Sequence, residues 1–81
     1  MANTSVFTEL LQALAVYSEK VDKAEVTDND FLEFQDIKSQ IIRGYHAKYF
    51  GGDEYTALNS IYHIVKDSFR EVLGLDGDGD A

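Results

Sequence analysis

Residues suited by type and spacing to chemistry are sparse in this chain. The stretch GLDGDGDA places Asp76, Asp78 and Asp80 at the alternate spacing with which a calcium loop begins. Calcium takes about six to eight oxygens, whereas this stretch supplies three carboxylates, puts alanine where the loop needs its turning glycine, and lacks the bidentate glutamate. The expectation is a flexible acidic tail over 76–81, with a tail that folds onto a basic partner as the alternative. His46 with Asp53, and His63 with Asp67 one helical turn apart, have the makings of general acid/base pairs. Three short helices rarely enclose the pocket that catalysis needs, so surface ion pairs are the expectation for both. The chain has no cysteine, no glycine-rich phosphate loop and no glutamate-flanked histidine pair. It reads as a non-enzyme: no catalytic residue, no cofactor and no metal are expected.

A stronger signal is charge. Fifteen acids against seven lysines and arginines leave a formal charge of −8. That balance argues against direct binding to nucleic acid or an anionic membrane, both of which demand a basic face. The acids are also unevenly placed. Glu19, Asp22, Glu25, Asp28, Asp30, Glu33 and Asp36 fall within one stretch that holds only Lys20 and Lys23, while residues 37–50 carry Lys38, Arg43 and Lys48 without an acid. One reading is dipole complementation, with acids near the start of a helix and bases near its end. The other is an acidic ridge presented to a protein partner with a basic surface, and the seven acids, with Tyr55, are the candidate partner-binding residues.

Small acidic helical proteins are one solution for decoys that occupy nucleic-acid-binding sites, and the inhibitors of phage and other mobile elements resemble this chain in size and charge, though no motif is shared. About 30 Å of duplex carries roughly 18 charges, so a net charge of −8 imitates a short patch of phosphates. A dimer would come closer to a full turn. The competing reading is a homodimeric structural or adaptor bundle whose exposed apolar stripe is its own interface.

The aromatic set Tyr45, Tyr49, Phe50, Tyr55 and Tyr62 surrounds an FGG turn. In so small a protein such residues serve mainly as core and boundary filler, and Tyr55 is the one expected to be exposed. Gly44 within a helical stretch costs about 1 kcal/mol relative to alanine and suggests close approach of another backbone.

The elements that must position these residues follow from periodicity. Val6, Phe7, Leu10, Leu11, Leu14, Tyr17 and Val21 recur at the helical period, and Ser5 or Thr4 can cap a helix over about 5–23. Thr27 or Asp28 caps a second helix over about 28–50, with the stripe Phe31, Phe34, Ile37, Ile41, Tyr45 and Tyr49 widened by Ile42 and Phe50. Gly51 and Gly52 should end it through a left-handed residue. Asp53 should cap a third helix, about 54–73, with the stripe Leu58, Ile61, Tyr62, Val65, Phe69 and Val72; Gly74 stops it and Leu75 can add an apolar contact. The fold expected is all-α, a small three-helix bundle over 1–75, either self-sufficient or completed by homodimerisation. A chain of this size buries only about 60% of its unfolded surface, which makes association a plausible reinforcement. No apolar run approaches the roughly 20 residues of a membrane span, and MANTSVFTEL lacks the charged and apolar regions of a signal peptide, so no membrane association and a cytoplasmic location are expected.

Overall fold

No proline interrupts the chain, and three amphipathic stretches form three helices: α1 (Val6–Asp22), α2 (Asp28–His46) and α3 (Gly52–Leu73). The computed structural model describes residues 5–74. Thr4, Leu75 and the acids Asp76, Asp78 and Asp80 lie outside the described residues.

Each helix start has a local cause. Ser5 accepts the Thr8 backbone N–H at 3.1 Å and caps α1. Thr27 caps α2 through a reciprocal box: its hydroxyl accepts the Asp30 N–H at 3.2 Å, and the Asp30 carboxylate accepts the Thr27 N–H at 3.0 Å. At α3 the cap is Gly51, not Asp53, and Glu54 reaches back to accept the Gly51 N–H at 2.9 Å.

The helix ends depart further from expectation. α2 stops at His46 rather than at residue 50. Lys48 turns left-handed (φ 66°), its N–H donates to the Tyr45 carbonyl at 3.0 Å, and the Tyr49 N–H donates to the Gly44 carbonyl at 2.9 Å. These are the two bonds of a Schellman termination. α1 ends the same way, with Ala24 at φ 55° and Glu25 N–H on the Lys20 carbonyl at 2.9 Å. The glycines at 51 and 52 are not used for left-handed geometry; among the described residues only Gly74 (φ 72°) is a positive-φ glycine, and it closes α3.

The three helices pack against one another, with α2 antiparallel to both α1 and α3. Phe7 near the start of α1 meets Phe50 before α3 (ring centroids 6.3 Å), whereas Tyr17 further along α1 meets Phe69 near the end of α3 (6.0 Å). The centre is aromatic. Phe34 stacks on Tyr62 at 4.6 Å, tilts against Phe69 at 4.9 Å and meets Tyr17 edge-to-face at 5.7 Å. Phe34, Phe69, Leu14, Ile41 and Leu58 are fully buried, each contributing about 1.5–3 kcal/mol from removal of apolar surface from water. No charged side chain is buried among the described residues. The three helices thus form a small three-helix bundle.

Candidate functional site

The antiparallel order gives the bundle two poles. One gathers the end of α1, the start of α2 and the end of α3; the other gathers the start of α1, the end of α2 and the start of α3. The seven acids from Glu19 to Asp36 lie at and below the first pole. Tyr55, at the start of α3, lies at the other, so the ridge and this tyrosine do not form one surface.

Several of the acids have structural work. Asp30, largely covered, holds the Thr27 cap and lies 3.6 Å from Lys20 Nζ, tying α2 to α1. Glu33 accepts the Tyr17 hydroxyl at 3.4 Å and the Asn29 amide at 3.3 Å, and Asp36 accepts the Gln40 amide at 3.0 Å. Burial first, then the charge and hydrogen bond of Glu33 and the charge of Asp30, raise the Tyr17 phenol above its ordinary 10.0. Glu19 pairs with Lys23 at 3.4 Å, with both side chains in solvent. Asp22, Glu25 and Asp28 are exposed and enter neither of the two ion pairs among the described residues.

Dipole complementation accounts for only part of this pattern. Asp28 and Asp30 occupy the first turn of α2, where negative charge is favoured. Glu19, Asp22 and Glu25 surround the C-terminus of α1, where it is disfavoured, and Glu71 stands in the last turn of α3 at the same pole. Two helix C-termini and a run of carboxylates therefore add their negative potential in one place, and both lysines of the stretch are engaged by Glu19 and Asp30.

The opposite pole is aromatic and of mixed charge, with Arg43, His46 and Lys48 at the end of α2 and Glu9, Asp53 and Glu54 in the first turns of α1 and α3. Phe50, thrown back by the early end of α2, is buried against Gly44: a Cβ at Gly44 would stand 2.6 Å from Phe50 Cε2. The close approach that Gly44 permits is thus by a ring of its own chain, not by another backbone. Tyr55 is half-buried and stacks on Tyr45 at 4.7 Å, contrary to its expected exposure. Tyr49, at 64%, is the most exposed of this aromatic set, and Tyr45 is exposed as well. A groove of about 580 Å³ opens between α1 and the end of α2, lined by Val6, Gln40, Arg43, Gly44, His46, Ala47 and Tyr49. A second hollow, of about 550 Å³, lies on the other side of His46 among Tyr45, Lys48, Phe50 and Gly51. Periodicity alone could not find the groove, because it carried the α2 stripe through Tyr49; the signal was the acid-free run 37–50 combined with a helix that stops at His46.

His46 and Asp53, and His63 and Asp67, are all exposed, and neither pair is joined by an ion pair among the described residues. No group of three His, Asp or Glu side chains is placed to hold a metal ion among the described residues. No described helix is long and apolar enough to cross a membrane.

Fold and surface together define a small acidic three-helix bundle with a carboxylate pole and an aromatic pole of mixed charge. No family model, no curated protein and no solved structure matches the chain.

Proposed function

We propose that this protein binds a larger macromolecule and inhibits or regulates it, using its carboxylate pole to occupy a basic nucleic-acid-binding surface. The observation that carries the reading is the placement of Asp22 and Glu25 at a helix C-terminus, where they enter neither ion pair among the described residues and work against the fold. Exposed acids held where they cost stability are accounted for by a partner that rewards them. Asp28, Glu33 and Asp36 extend the same surface along α2, while Asp30 serves as its fixed base by holding the cap and Lys20. Tyr55 is left out of this surface, being half-buried at the other pole.

Long-range attraction between such a pole and a basic groove speeds encounter and penalises acidic competitors. It also makes binding sensitive to salt, because the Debye length falls from about 10 Å at 0.1 M to about 3 Å at 1 M. The test is capture on the immobilised full chain from lysate of the source cell at about 0.1 M salt, with duplex DNA as competitor. The expected result is a basic nucleic-acid-binding protein that is released at high salt and displaced by DNA. A variant combining E19Q, D22N, E25Q and D28N, which leaves Asp30 in place, should lose it. Capture that survives both the variant and the DNA would overturn the reading.

A further inference from the structure

The groove at the aromatic pole has a floor and a rim of different chemistry. Val6, Gly44, Ala47 and the exposed ring of Tyr49 give it apolar walls, Arg43 and His46 stand among them, and Lys48 lines the adjoining hollow. Among the described residues no acid lines either hollow, and the carboxylate of Glu54 accepts the Gly51 N–H at 2.9 Å beside the second. Lys48 also holds a left-handed backbone (φ 66°), a geometry that costs a side-chain-bearing residue about 1–2 kcal/mol relative to glycine, so a cation is kept where glycine would serve the fold better. The ligand such a surface selects is a short extended segment with one aliphatic anchor followed by carboxylates.

The chain itself contains that segment. Leu75 is followed by Asp76, Asp78 and Asp80, separated by glycines. It cannot reach the groove of its own molecule. α3 has 22 residues and carries Gly74 about 33 Å from the aromatic pole, whereas Leu75 is the next residue and the six residues to Asp80 span at most about 22 Å. We propose that residues 75–81 of one copy dock into this groove on a second copy, with Leu75 on the apolar floor and Asp76, Asp78 and Asp80 facing Arg43 and Lys48. Two copies side by side and antiparallel place each tail beside the other's groove, and a reciprocal exchange of this kind closes as a two-fold dimer. The inference uses the pole opposite to the one assigned to a basic partner, so either can fail without the other.

Sedimentation of the full chain over a concentration series, at low and high salt, reads the association directly. The expected result is a dimer weakened by salt. L75S should abolish it, and a variant combining D76N, D78N and D80N, or one combining R43E and K48E, should weaken it about tenfold or more. K48G separates assembly from folding, since it should raise the melting temperature while weakening the dimer. An isotope-labelled full chain titrated with the peptide GLDGDGDA should show shifts centred on Val6, Gly44, Ala47 and Tyr49. A chain that stays monomeric throughout, a dimer indifferent to L75S, or peptide shifts that avoid the groove would each overturn the proposal. Capture of an acidic segment from another protein by this groove, with no self-association, would overturn it equally.

Discussion

The two interhelical turns end their helices by the same device and then do opposite things. After α1, Ala24 turns left-handed and Glu25 closes the Schellman bond; after α2, Lys48 and Tyr49 do the same. From there the first turn sets only the half-buried Val26 against the core, and it is held by the Thr27 and Asp30 box and the Lys20 ion pair. The second throws Phe50 back into the core against Gly44 and Phe7. A turn secured by hydrogen bonds at its surface leaves its side chains free to carry charge, whereas a turn secured by packing must spend its residues on shape and leaves a hollow beside the ring. The carboxylate pole and the groove are the respective results.

The largest way to break this contrast is Phe50→Ala, which should cost about 3–5 kcal/mol in chemical denaturation and open the second turn, with the first turn untouched. Gly44→Ala approaches the same contact from the other side. Helix propensity alone favours alanine by about 1 kcal/mol, yet the 2.6 Å clash with the Phe50 ring should make the variant less stable by about 1–3 kcal/mol. A gain in stability would mean that Phe50 yields easily and that packing does not hold this turn.

At the carboxylate pole the matching substitution is Thr27→Ala, expected to cost about 1 kcal/mol through the lost cap. Ala24→Gly and Lys48→Gly should each stabilise by about 1 kcal/mol, because glycine adopts the left-handed geometry without a Cβ penalty. Equal gains at both turns would show that the terminations are equivalent in energy as well as in form.

Alkaline pH tests the contact that fastens the acidic surface to the core. Burial, and for Tyr17 also Glu33 and Asp30, raise the phenols of Tyr17 and Tyr62 above 10.0 in the folded chain. A folded value above the unfolded one means that the folded state holds the proton more tightly, so this contribution is fully present below about pH 10 and is lost as pH rises through the raised values. Stability followed by circular dichroism should decline above that pH, and Tyr17→Phe should remove its share of the decline. The smallest effect expected belongs to D22N and E25Q. Relieving the C-terminus of α1 should stabilise by on the order of 0.3 kcal/mol each, and the gain should shrink with salt. A loss instead would show that these acids serve the fold, which would remove the argument for a partner.

Local sequence carried much of this. The absence of proline, the three stripes and the caps at Ser5 and Thr27 specify helices because each depends on residues within one or two turns of one another. The acidic stretch was legible for the same reason: charge is a property of composition. The end of α2 was not legible. Continuing the helix through Tyr49 and Phe50 keeps the periodic pattern, and Gly51 and Gly52 offer a ready stop. Only the tertiary fold reveals that Phe50 gains more by turning back onto Gly44 than by extending the stripe, and that Tyr45 and Tyr55 stack across α2 and α3.

What the sequence by itself determined, then, is the number of helices, the centre of each inward face and the sign of the charge; Ile42, Tyr45, Tyr49 and Val72, which the stripes included, are exposed. What tertiary structure decided is where carboxylates and aromatics meet. An up-down-up bundle folds a linear run of acids around one turn and separates it from Tyr55 by the length of α3. Periodicity is local and read along one helix, while the choice between continuing a helix and burying a ring is a difference between two packings that no single helix contains.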